Sequence, residues 1–155
     1  MVGKNVKRLL YRGTRDGFAS SAFHSFCDGK ANTIIIIKNE LNHVFGGYIS
    51  VAWHSSHSHS FDSSAYLFSL RRDNSSNSEK YLIINPEYAV YGEGWNGQSY
   101  GPTFGRNHDI SVCPNNPNIN KCRGGFKSSY NTPSSNYLAG ASYWLVIEIE
   151  VYQLE

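Results

Sequence analysis

The run TIIIIK, Thr33 to Lys38, places four isoleucines in succession with no polar residue between them. A β-branched run of this kind predicts a strand, and its lack of alternation predicts cover on both faces, with Ile34–Ile37 buried on both sides. Lys30 and Lys38 flank it and discourage edge pairing with other chains. The turn NELN then leads into HVFGGYISVAW, which makes a β-hairpin. Gly46-Gly47 inside the second strand predicts a bulge or a close backbone approach.

Short strands are expected at AYLFSL, KYLII, YAVYG and DISV. The segment YWLVIEIEVYQ alternates, with Leu145, Ile147, Ile149 and Val151 on one face and Glu148 and Glu150 on the other. The strands of the sandwich are placed near 33–38, 44–53, 65–70 and 143–152. One helix is expected in RDGFASSAFHSFCDGK, where Phe18, Ala22, Phe23 and Phe26 form a stripe, Asp16 is the N-cap and Gly29 the stop. His54–Ser64, Arg72–Glu79 and Pro114–Ser135 read as loops, and none of them as a linker. No internal repeat is present. The pattern is mostly β (α+β): one domain over residues 1–155, a largely antiparallel sandwich with one or two helices against it.

The 155 residues are enough for one domain with a genuine core. Hydrophobic residues at 40% against charged residues at 17% suit a globular chain rather than a disordered one. Eleven tyrosines suit half-buried sheet surfaces. A net charge of +2 with no block of like charge argues against a nucleic-acid partner. MVGKNVKRLLYRG lacks the apolar core of a signal peptide, no segment could span a bilayer, and lipidation motifs are missing. A cytoplasmic chain without membrane insertion is therefore expected, with its three cysteines reduced. In that setting the sequon Asn74-Ser75-Ser76 carries no meaning.

Five features could carry chemistry. GEGWNG, Gly92 to Gly97, spells a dinucleotide fingerprint, but no helical pattern follows it, so no phosphate site is expected. His57 and His59 point the same way on an extended chain and could ligate zinc with His54, yet the serine-rich setting favours a solvated loop and no metal. Cys113 and Cys122 allow a disulfide hairpin, half a zinc site or two thiols, and a reducing compartment favours thiols. Glu148 and Glu150, roughly 6–7 Å apart by strand rise, could serve as acid and base, or form an ordinary polar strand face. His108-Asp109 looks like a catalytic pair. Adjacent residues on a strand point to opposite faces, however, and no nucleophile motif accompanies these two.

LLYRGTRDGFASSAFHSFCDGK, TIIIIKNELNHVFGGYISVAW, SSAYLFSL, YGPTFGRNHDISV and NYLAGASYWLVIEIEVYQ occur in the order of a TLDc domain. The chain resembles that family from about Arg8 to Gln153, a core of about 8–153. The resemblance implies a two-sheet antiparallel β-sandwich flanked by short helices, with no catalytic activity and no cofactor. It also implies protection against oxidative stress, with binding and regulation of the vacuolar proton-pumping ATPase. The location would then be cytoplasmic, peripheral at vacuolar or endolysosomal membranes through the partner, and the chain monomeric on its own. HSSHSHS and CPNNPNINKC depart from the family pattern. Exposed loop and strand-end residues of the family-like motifs would carry the binding: Arg12, Arg15, His43, Trp53, Arg106 and His108. Gly46, Gly47, Gly101 and Gly105 are expected to be structural. The alternative is an enzyme using polar groups around His108 and Asp109, or Glu148 and Glu150.

Overall fold

A computed structural model describes residues 3–92, 100–112, 122–124 and 127–155, without the side chain of Asn77. Strand β1 (Val6–Arg12) runs into a single helical turn, α1 (Gly13–Asp16), and then into α2 (Ser20–Cys27). The hairpin of β2 (Thr33–Asn39) and β3 (Val44–Ile49) is followed by β4 (Ser58–Ser60). A second hairpin joins β5 (Tyr66–Arg72) to β6 (Ser75–Leu82). A 3-10 turn at Pro86–Tyr88 precedes β7 (Val90–Gly92), β8 (Thr103–Phe104), β9 (Ile110–Ser111) and β10 (Cys122–Arg123). Then come β11 (Tyr143–Trp144) and β12 (Val146–Leu154). The strands form two six-stranded antiparallel sheets, in the orders β1-β12-β2-β3-β5-β6 and β11-β10-β9-β8-β7-β4.

The isoleucine strand lies in the interior of the first sheet, between β12 and β3. Ile35 and Ile37 point inward and are wholly buried, which stabilises the fold by about 1.5–3 kcal/mol each. Ile34 and Ile36 point outward and are only half-buried, beside Tyr48, Tyr66, Phe68 and Leu154. The expected double cover is thus complete on the inner face and partial on the outer one, because only same-sheet neighbours supply the outer cover. With both edges paired, β2 has no free edge for Lys38 to protect.

The paired glycines are close approaches, and the β2–β3 register runs through them without a shift. A Cβ on Gly47 would stand 2.6 Å from the Phe104 ring, so this glycine is where the second sheet seats on the first. A Cβ on Gly46 would stand 1.8 Å from the Ile35 carbonyl oxygen. Trp144 meets Phe45 edge-on at 5.2 Å, adding a specific aromatic contact between the sheets.

Several boundaries differ from the sequence reading. The expected strand over 143–152 is two strands in different sheets: Trp144 pairs with Cys122, while β12 pairs with β1 and β2. Glu40 holds the crossing, its carboxylate accepting from Leu145 N–H at 2.7 Å. A register shift between Val146 and Glu148 then leaves Ile147 47% exposed and turns Val146 toward the core, so only Ile149 and Val151 keep the predicted face. Arg72–Glu79 is mostly strand, because Asp73 and Asn74 both adopt positive φ and close a two-residue hairpin turn. His54–Ser64 contains β4, paired with β7. Cys122–Arg123, inside the expected loop Pro114–Ser135, is likewise a strand. Asp16 ends α1 instead of capping the main helix, and its carboxylate accepts from Arg12 N–H at 2.9 Å. The main helix starts at Ser20 and carries no side-chain cap.

Candidate functional site

Asp109, of the His108-Asp109 pair, is engaged by the backbone of a distant loop. Gly105, at φ +85°, turns the chain back so tightly that a Cβ would stand 1.8 Å from Asp109 Oδ1. The buried Asp109 carboxylate accepts from the backbone N–H groups of Ser128, Ser129 and Tyr130 at 3.0, 3.2 and 3.2 Å, and from the Ser128 hydroxyl. In return, Ser129 Oγ accepts from Arg106 N–H at 3.0 Å and Ser128 Oγ from Asn107 N–H at 3.1 Å. Two loops about twenty residues apart are therefore locked by reciprocal hydrogen bonds, which fixes exposed Arg106 and half-buried His108 in place. Gly101, by contrast, is only tight: a Cβ there would lie 3.1 Å from Val112 O.

His108 has φ +60° and stacks near Tyr91 at 6.1 Å and edge-on to Tyr100 at 5.0 Å. Tyr91 also meets His59 at 4.9 Å, His59 meets Tyr88 at 5.0 Å, and the Arg106 guanidinium lies 4.9 Å from the Tyr88 ring. Burial, helped by His59 and Arg123, holds His108 below the ordinary histidine value of 6.5, against an opposing pull from Asp109. Burial and Arg106 lower His59 similarly, against a hydrogen bond to the Val90 backbone. An unfolded chain would take up these protons first as pH falls through about 6.5. Stability from the neutral rings is then complete above that pH and lost progressively below it. We expect the urea midpoint to drop between about pH 7 and about pH 5, and to drop less in His108→Asn, since asparagine tolerates the positive φ. An identical acid slope in that variant would remove His108 from the account.

Arg12 ends β1 of the first sheet and Arg15 lies in α1 directly after it, whereas Arg106 and His108 sit between β8 and β9 of the second sheet. Arg12 Nε donates to Glu150 Oε1 at 2.8 Å, and the Tyr152 hydroxyl donates to Glu150 Oε2 at 2.7 Å. Thr14 donates to Glu148 through its N–H at 3.1 Å and through its hydroxyl. Exposed Arg15 donates to Asp16 at 2.8 Å and holds that carboxyl below its usual range. Both glutamates of the last strand are therefore engaged at this corner, and the Arg15 side chain is half-exposed.

Two expected contact residues are internal. Trp53 is 2% exposed, packed edge-on to Phe23 and Phe104, and its indole N–H donates to Thr33 Oγ1 at 2.9 Å. Its large ring fills the join between helix and sheets and leaves nothing for a partner to touch. His43 is 5% exposed; its Nδ1–H donates to Leu138 O at 3.0 Å, and Gly140 leaves room for the ring. His43 thereby anchors the 138–140 segment to the β2–β3 turn.

Sequence reasoning missed a cluster of His24, Asp28 and Ser55. His24 Nε2 donates to Tyr100 O at 3.0 Å, while Nδ1 lies 2.8 Å from Asp28 Oδ1 and 3.1 Å from Ser55 Oγ. A triad needs serine and carboxylate on opposite ring nitrogens, and here they share one. The four-residue spacing of His24 and Asp28 on one helix was the available signal. His54 Nε2 bonds Ser60 Oγ at 2.7 Å, His57 has φ +53°, and His59 sits in the tyrosine cluster already described. Cys113 and most of GEGWNG lie outside the described residues. Among the described residues, no three His, Cys, Asp or Glu side chains gather as a metal site, and no helix is long and apolar enough to cross a membrane.

A family model described as "TLDc domain" matches residues 3–155. No curated protein matches the chain.

Proposed function

The chain belongs to the TLDc family, and we propose that it is a non-catalytic protein-binding module, one domain with its core over about 8–153. Its partner in this reading is the vacuolar proton-pumping ATPase, which it binds and regulates in the course of protection against oxidative stress. It works as a monomer in the cytoplasm, brought to vacuolar or endolysosomal membranes by that partner, without nucleic acid or cofactor. The observation that carries the reading is the use made of the acidic groups. Asp109, Glu148 and Glu150 are each committed to hydrogen bonds that hold loops or strand ends, while Arg15 and Arg106 project from the elements so fixed. Rigid presentation of exposed arginines is what a binding surface requires.

Arg15→Ala and Arg106→Ala, made separately, are expected to weaken association with the purified ATPase at least about tenfold while leaving thermal unfolding unchanged. Affinity should be read by surface capture of the enzyme's soluble sector on the immobilised chain. Wild-type affinity in both variants would dismiss the named arginines. Failure of the parent chain to capture the ATPase would dismiss the partner.

A further inference from the structure

β11 of the second sheet passes into β12 of the first through a single residue, Leu145. No glycine or proline occurs from Tyr143 to Glu155, and Val146, Ile147, Ile149 and Val151 are β-branched. The local sequence therefore prefers one straight strand through the joint to the change of sheet observed there. Two hydrogen bonds hold that change, both from one residue. Glu40 N–H donates to Leu145 O at 3.1 Å, and the exposed Glu40 carboxylate accepts from Leu145 N–H at 2.7 Å.

β12 pairs with β1 on one side and β2 on the other. Those ladders, and the burial of Ile149 and Val151 beneath them, are the same whether β1 and β2 belong to the same chain or to another. The Glu40–Leu145 contact is different in kind. It belongs to the joint itself and is lost when the joint straightens. The balance between a chain that keeps its own β12 and two chains that trade theirs is therefore set at Leu145, where a one-residue hinge gives little slack.

We propose that this chain forms a strand-exchanged dimer with a second copy of itself, and that Glu40 is the latch that favours the closed monomer. In the dimer β11, Leu145 and β12 run as one strand, and β12 of each copy fills the place between β1 and β2 of the other. Exchange proceeds during refolding, since drawing β12 from a finished sheet breaks two ladders at once. The proposal goes beyond the ATPase reading and does not rest on it, because Arg15 and Arg106 lie away from the joint.

The test uses Lys38 and Glu148, which are partners across the β2–β12 ladder and so within the spacing a disulfide spans. Full chains carrying Lys38→Cys are refolded from urea together with full chains carrying Glu148→Cys, at high protein concentration, and then oxidised. The two link only where β12 of one chain lies in the sheet of the other. Each variant refolded alone gives the background from the native cysteines. Linked dimer above that background is expected, and adding Glu40→Ala to both chains should raise its yield at least about tenfold, since a charge-assisted hydrogen bond is removed from the monomer alone. Glu40→Gln keeps an uncharged acceptor and should fall between, which keeps the test decisive if Glu40→Ala fails to refold. Ultracentrifugation of Glu40→Ala without the added cysteines should show a dimer. A mixed yield at background, or one indifferent to both substitutions at Glu40, would overturn the proposal. A dimer on ultracentrifugation without the mixed link would place the interface elsewhere, and would overturn it equally.

Discussion

Asp109→Ala is expected to lower unfolding free energy by roughly 3 kcal/mol or more, the sum of buried donors stranded at about 1–3 kcal/mol each. The carboxylate is 7% exposed and accepts from three consecutive backbone N–H groups and one hydroxyl, none of which an alanine replaces. Asp109→Asn keeps one acceptor oxygen and should lose less. Urea denaturation at neutral pH measures both, provided the slope against denaturant is unchanged. The result also separates two roles for the His108-Asp109 pair. A catalytic aspartate could be removed with the fold intact, whereas a clamp could not. A midpoint matching the parent's would refute the clamp.

Gly46→Ala is the second large effect. The added carbon would meet a backbone carbonyl at 1.8 Å and the Phe68 ring at 3.0 Å, so the β2–β3 ladder must open locally to admit it. Overpacking of this kind costs roughly 1–3 kcal/mol even where side chains alone must move, and a displaced ladder should put the cost at or above the top of that range. Gly29→Ala is the control: it has φ +76° but nothing within 4 Å, so only the left-handed backbone is penalised, at about 1–2 kcal/mol. Thermal unfolding should rank Gly46→Ala well below Gly29→Ala. Equal losses would mean that the hairpin has slack the geometry does not show.

What the sequence revealed depended on how local the deciding forces are. TIIIIK was legible because four β-branched residues need cover wherever they sit. The hairpin after it was legible because turn and strands are adjacent. VKRLLYR was not identified as a strand, because Lys7 and Arg8 break its apolar pattern at an exposed end. The crossing at Leu145 was invisible for a different reason: alternation continues through YWLVIEIEVYQ, and only Glu40, 105 positions away, marks where the sheets part. The candidate site was less legible still. The partners of Asp109 lie 19 to 21 residues on, across segments with no periodicity of their own. The burial of Trp53 and His43 depends on Phe104 and Leu138, which no local pattern connects to them.

The position of β12 also governs when this protein can fold. Both β1 and β2 need β12 between them, yet β12 follows all the other described strands in the chain. At about 5–20 residues per second, the interval from the completion of β2 to the arrival of β12 is roughly 5–20 s. Through that interval the nascent isoleucine strand has one edge open, its main-chain donors and acceptors on that side unpaired. Completion of the first sheet thus waits on β12, and until it arrives the isoleucine strand lacks its second neighbour.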